Sequence, residues 1–341
     1  MSTKKLPTSR RALLKGTAAT AAIAPFFIGR SARAADPEFV LKCATVAPKG
    51  TPWHKMAKGL VNMVKERSEE RVKIKCFYGG VMGSEQSAAE KTENGTLGVF
   101  AGSAGGLMKS VPELGALELP FLVKNAKQGR RALNANRGLI HDILWERGFK
   151  LMLFSENGTQ DIGSNRRIES PADMKGVKMR TLESDVHINF VKAAGGSAFP
   201  MGVTEVLPSL QTGVIDGFTN TALYSTAAGW TSAVKYWTVT QHCWQPAIVC
   251  VSRKIYEKLP PEIQEAVAGE SDDIRKLENR TNRRLDAMKP QLLQNIKDLG
   301  IEVIEPDPGP WKKLAGGVHK KFRKSTTKKG VALLDGLKKA T

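Results

Sequence analysis

The stretch GVKMRTLESDVHINFVKAAGGSAFPMG, Gly176 to Gly202, decides the fold. GVKMRTL alternates apolar with polar residues as a strand does. SDVHINFVKAAGG then has helical spacing, with Ser184 as N-cap and Gly195 and Gly196 as its stop. SAFPMG returns to strand. Strand, helix and strand in so short a span form a βαβ unit, which needs a parallel sheet with helices on its faces.

The same alternation continues in both directions. Downstream, TEVLPSLQTG is a helix ended at Gly213 and VIDGFTN a strand. Upstream, FVLKCATVAP is a strand stopped by proline. TPWHKMAKGLVNMVKERS follows as a helix with Thr51 as N-cap and Pro52 at its first position. RVKIKCFYGG (strand), SEQSAAEKTENG (helix), TLGVFAGSAGG (strand into a glycine-rich turn), a helix from about Asn125 to Arg147 and FKLMLFSENG (strand) complete the first half. After Tyr236, WTVTQHCWQPAIVCVS reads as a strand crossing back toward that half. Leu259 to Gly300 is a very long helical pattern interrupted by Pro290. The expectation is an α/β protein of two lobes, each with its own mainly parallel sheet flanked by helices, and a cleft between them. Residues 35–157 with about 245–280 form one lobe, and 158–244 with about 300–341 the other; 259–299 is a long helix spanning both.

Residues 1–34 are set aside as an export signal. SRRALLKG carries paired arginines, TAATAAIAPFFIG is a short apolar run, and Ala32-Arg33-Ala34 supplies a cleavage site. SRRALLK resembles the twin-arginine export pattern, with Leu13 where Phe is commoner. The mature chain then starts at Ala35, in the periplasm. This changes the meaning of the formal charge of +19 over 341 residues. Seven Lys/Arg in 1–34 and a surplus of nine from Trp311 to Thr341 leave a body of only about +3. Basic residues are not interleaved with aromatics over a face, so nucleic acid is not the partner. The tail reads as a solvated amphipathic segment or as weakly attracted to an acidic surface. Cys43, Cys76, Cys243 and Cys250 show no metal-ligand spacing. Cys43 and Cys76 fall in the first two predicted strands, either bridged or free.

In open α/β sheets ligands bind where strands end, because helix N-termini and loop amides converge there. Arg180 sits at that end of GVKMR and Asn220 at that end of VIDGFTN, in the same predicted sheet. A guanidinium in a partly dry cleft matches a carboxylate or phosphate through paired N–H donors, whereas at a surface it forms an ion pair of little consequence. Glu85 and Ser103 stand at strand ends of the first half, either bonding substrate or capping. Trp53, Phe199, Phe218 and Trp244 supply either an apolar cavity wall or packing core.

ATVAPKGTPWH, VKIKCFYGGVMGSEQS, VPELGALELPFL, SPADMKGVKMR, EVLPSLQTGVIDGFTN and SAVKYWTVTQH resemble, in order and spacing, the DctP-like solute-binding proteins of TRAP (tripartite ATP-independent periplasmic) transporters. The resemblance runs from about Phe39 to about Asn295. It implies a periplasmic-binding-protein-like fold, and a receptor that closes on a small organic acid and delivers it to a membrane permease through a transient contact. It also implies that Arg180 clamps the substrate carboxylate and that Asn220 assists. A second arginine that many members carry about twenty residues earlier is replaced here by Gln160, which favours a monocarboxylate. FTNTALYS lacks the Trp-Glu pair of metal-using members, so neither metal nor other cofactor is expected. The rival reading is a periplasmic hydrolase: AGSAGG, Ala101 to Gly106, approaches a nucleophile elbow but lacks its first glycine. No H-E-x-x-H or G-x-G-x-x-G is present.

Overall fold

The computed structural model describes residues 36–341, so the expected export signal and its twin-arginine pattern lie outside the described residues. In chain order these run β1 (Phe39–Ala44), α1 (Pro52–Arg67), β2 (Val72–Phe77), α2 (Glu85–Glu93), β3 (Val99–Ser103) and α3 (Ala104–Leu107). A 3-10 turn, Pro112–Glu118, leads to α4 (Ala126–Ala135), α5 (Arg137–Glu146) and β4 (Phe149–Ser164). Then come β5 (Lys178–Thr181), α6 (Asp185–Ala193), β6 (Ser197–Pro200), α7 (Val203–Gln211), β7 (Gly217–Thr221) and α8 (Ala222–Ala227). The chain ends with β8 (Tyr236–Ser252), α9 (Arg253–Tyr256), α10 (Pro261–Ala268), α11 (Asp272–Asp298), β9 (Glu302–Ile304), α12 (Pro308–Ser325) and α13 (Lys328–Ala340).

The α/β class stands, but the two separate sheets expected from the sequence are one. Its order is β2-β1-β3-β8-β4-β7-β5-β6, with β9 beside β8. The outer pairings β1/β2, β1/β3, β5/β6, β5/β7 and β8/β9 are parallel. The central pairings β3/β8, β4/β8 and β4/β7 are antiparallel. The two halves are joined because β4 and β8, 16 and 17 residues long, run through both of them. At about 3.3 Å per residue each strand is on the order of 50 Å long. SENG reads as a turn, yet Gly158 takes φ +105° and absorbs a bulge between Glu156 and Gly158 while the strand continues to Ser164.

Two helix expectations are corrected likewise. The single helix from Asn125 to Arg147 is α4 and α5, divided at Asn136, whose side chain bonds the Ala132 carbonyl. The long helix of 259–299 divides at Gly269–Ser271, not at Pro290. Ser271 caps α11 by accepting from the Ile274 amide, and Pro290 sits inside α11 on its exposed side. α11 packs on α1 and β4 near its start and on α8 and β9 beyond.

One apolar layer lies between the sheet, α5, α6 and the C-terminal helices, with Trp311, Phe322, Leu333 and Leu334 buried in it. The basic tail is therefore two amphipathic helices; α12 packs on α6, and α13 on α4 and the 3-10 turn. A second apolar layer lies between α1, α10, α11 and the β2-β1-β3-β8 end. A third surrounds Phe218, Trp230 and Trp237 at the other end. Among the described residues no helix is long and apolar enough to cross a membrane.

Candidate functional site

Alternation along β5 sends Met179 into the core and Arg180 to the opposite face. Arg180 is 3% exposed. Its Nε and Nη2 donate to the Met201 carbonyl at 3.2 and 3.0 Å, while Nη1 has no partner. The guanidinium lies 5.2 Å from the centre of the Trp230 ring. Phe218 and Tyr224 pack edge-on to that tryptophan at 5.1 and 5.4 Å and fix its plane. Among the described residues no carboxylate is within ion-pair distance of Arg180. Burial lowers its pKa to about 10, with Tyr224 and Glu85 acting in the opposite sense, so it remains a cation at neutral pH. A desolvated cation with a free N–H is a seat for an anion.

Asn220 is the penultimate residue of β7, which runs parallel to β5, so the two side chains emerge at the same edge. Its Oδ1 accepts from the Thr221 amide at 2.7 Å. Tyr224, one helical turn on, donates its hydroxyl to the Val46 carbonyl at 3.3 Å and so links α8 to the loop after β1. From the first half, Glu85 opens α2. Its two oxygens accept from the Ser103 amide at 2.7 Å and the Ser103 hydroxyl at 2.5 Å. Gly102 and Gly106 make this approach possible, since a Cβ at either would collide with Glu85. Burial raises the Glu85 pKa, and the Ser103 hydroxyl and amide only partly offset this.

These groups border one pocket of about 860 Å³ of empty space, its open mouth included. Of the residues expected at the site, the structure brings together Arg180, Asn220, Glu85, Ser103 and Trp53. Trp53 is fixed by its Nε1 donating to the Glu156 carbonyl at 2.9 Å. Four others are elsewhere. Gln160 is fully buried in β4 between Cys243 and Thr221, with neither side-chain atom bonded. Phe218 is core beneath Trp230 and Trp237, and Phe199 is half-buried against the same cluster. Trp244 donates to Glu156 Oε2 at 3.1 Å and packs where a side chain at Gly129 would stand. For these three aromatics the packing alternative holds.

Tyr224, Asn157 and Gln245 line the pocket although the sequence reading passed over them. Asn157 Nδ2 donates to Gln245 Oε1 at 3.1 Å across the β4/β8 ladder. Nothing local marks that pair, because it depends on the β4/β8 register; Tyr224 is signalled only by its place one turn after Asn220. Behind the pocket Glu118 and His187 pair at 2.7 Å, and Cys243 completes a buried group of ligand-type atoms within 4.8 Å of one another. The Glu118 oxygens there already accept from His187, the Gly105 amide and Gln245. All four cysteines are free, with Cys43 and Cys76 directly opposite in the β1/β2 register. Ser103 donates its hydroxyl to Glu85 and caps α3 by accepting from the Gly106 amide, and no histidine lines the pocket.

A family model described as bacterial extracellular solute-binding protein, family 7 (DctP), matches residues 43–326. A solute-binding protein of Verminephrobacter eiseniae is 31% identical, covering 71% of this chain and 72% of that one. The 2,3-diketo-L-gulonate-binding periplasmic protein YiaO of Escherichia coli is 26% identical over 74% of this chain and 76% of its own. Among solved structures, a TRAP periplasmic solute binding protein from Sulfitobacter with bound beta-D-galacturonate superposes with a TM-score of 0.82 at 24% identity, covering 88% of this chain and 99% of that one. One from Polaromonas bound to D-erythronate gives 0.81 at 23% identity, covering 88% and 98%. These two likenesses establish the fold.

Proposed function

The chain belongs to the bacterial extracellular solute-binding protein family 7, and from that premise we propose that this receptor captures a small organic acid by its carboxylate on Arg180. The family is one of solute-binding receptors rather than enzymes. The observation that carries the reading is the free Nη1 of a buried, charged arginine that no carboxylate among the described residues neutralises. Asn220 and Tyr224 flank it from the β5/β7 side, and Glu85, Ser103 and Trp53 from the β1/β3 side. Among the described residues, Arg180 is the single cation of the pocket lining and Glu85 the single acid, which favours one carboxylate on the ligand over two.

In this reading residues 35–157 with about 245–280, and 158–244 with about 300–341, act as lobes that close on the acid as a hinge, with the helix of 259–299 bracing both. The closed form then makes a transient contact with the membrane subunits of a TRAP permease, in the periplasm. The acids named for related proteins, galacturonate, erythronate and 2,3-diketo-L-gulonate, accord with this chemistry.

A thermal-shift screen of small carboxylates against the wild type and Arg180→Lys tests it. Lysine keeps the charge but not the fork, and charge-assisted bonds contribute about 1.5–3 kcal/mol each. We expect the best acid to bind roughly 10- to 100-fold more weakly to the variant. Equal binding by the two proteins would remove Arg180 from the role.

A further inference from the structure

The two ends of the pocket differ in chemistry. The polar end holds Arg180, Asn220, Glu85 and Ser103. From there the space continues beneath α1, between that helix and the sheet. Met56, Ala57 and Leu60 line it from the helix, and Cys43, Ala101 and Val249 from the strands. Positions paired in register share a sheet face, so Cys43 with Cys76 and Ala101 with Val249 form one continuous floor across β2, β1, β3 and β8. Three strand spacings make that floor about 14 Å wide. Alanines at 57, 101 and 247 stand where larger side chains would close it. Thr45 and Gln245, two residues along from Cys43 and Ala247 on the same strand faces, add polar side chains to the lining; among Met56, Ala57, Leu60, Ala101 and Val249 there is no side-chain hydrogen-bond partner, and the backbone of the strands is taken up by the ladder.

We infer that the ligand is a monocarboxylate with an unsubstituted hydrocarbon tail, several carbons or one ring long, which lies in the slot beneath α1 while its carboxylate sits on Arg180. This rests on the reading of Arg180 as the carboxylate anchor and adds the class of the remainder of the molecule. A polyhydroxylated acid of the same length would bring more hydroxyls into the apolar slot than its few polar groups can bond, and each stranded hydroxyl weakens binding about tenfold. Methylenes gain there instead, by about fourfold each.

Isothermal titration of the purified protein with straight-chain monocarboxylates from acetate to octanoate, together with phenylacetate, D-glucuronate and hexanamide, tests the inference. The Kd should fall about fourfold per methylene and then level off where the slot is full. Glucuronate should bind at least tenfold more weakly than hexanoate. Short acids that bind with no gain along the series, or glucuronate binding tightest, would overturn the hydrocarbon arm and leave the carboxylate anchor standing. Hexanamide binding as tightly as hexanoate would do the reverse. Binding of none of the acids would overturn both. Ala101→Leu narrows the slot, so the levelling point should move to shorter acids; a folded variant with the wild-type chain-length profile would also contradict the arm. The wild-type series decides the matter even if that variant does not fold.

Discussion

Arg180 and Cys76 are the two residues at which the pocket's chemistry is most open to measurement. The Cys76 thiol is lowered to about 7, chiefly by its hydrogen bond with Cys43, whose own thiol is raised by the same contact and by burial. Both line the hydrocarbon slot. Alkylation by iodoacetamide should therefore rise through neutral pH at Cys76, leave Cys43 untouched, and slow at least tenfold when a tightly binding acid fills the slot. Mass mapping of the modified cysteine gives the result, and unprotected Cys76 in the presence of saturating ligand would place the tail elsewhere. Asp161 offers a second residue-level test. Burial raises its carboxyl from 3.8 to about 7, against bonds from the Gln241 amide and Trp237 Nε1 that favour the ionised form. The folded chain thus holds that proton more tightly than the unfolded chain. Its contribution is a penalty absent below about pH 4, growing as pH rises, and complete above about pH 7, on the order of 4 kcal/mol at most. Stability measured by urea titration should fall between about pH 4 and 7 more steeply in the wild type than in Asp161→Asn; parallel profiles would show that Asp161 ionises normally.

At the scale of elements, local patterning identified most strands and helices, because caps such as Thr51 and Ser84 and stops such as Gly95 and Gly195 act within a few residues. It failed where a local signal was overridden by the sheet. Asn157-Gly158 looks like a turn, but pairing with Gln245 and Pro246 carries the strand through it. Gly158 has no atom within 4 Å of where a Cβ would stand, so crowding does not enter; its φ of +105° is the whole penalty of substitution. Gly158→Ala should lower stability by about 1–2 kcal/mol, read by urea titration, and an unchanged midpoint would show that the bulge relaxes. The site divides on the same line. Arg180 and Asn220 were legible because a strand end and an unusual charge are local. The misplacement of Phe199, Phe218 and Trp244 follows from the fact that composition does not tell a cavity wall from the core behind it. Only the β4/β8 register and the Trp230 stack separate the two.

For the molecule as a whole, β4 and β8 are continuous through both ends of the sheet, and the pocket lies where groups from the two ends face each other. The Tyr224–Val46 bond and the Glu156/Gly158 bulge lie at that seam. Closure on an acid should reduce the radius of gyration measured by X-ray scattering and raise the melting temperature with ligand concentration as linkage requires. Stabilisation without any change in scattering would mean that the acid enters a pocket already closed. The βαβ alternation was readable, whereas the single sheet was not, because register between distant strands leaves no trace in either strand alone. The most direct test of the account is a crystal structure with the tightest-binding acid from the titration series. The account predicts a carboxylate oxygen within hydrogen-bonding distance of Arg180 Nη1, the atom without a partner here. An acid bound with its carboxylate on other groups, and Arg180 still bonded only to the Met201 carbonyl, would contradict it.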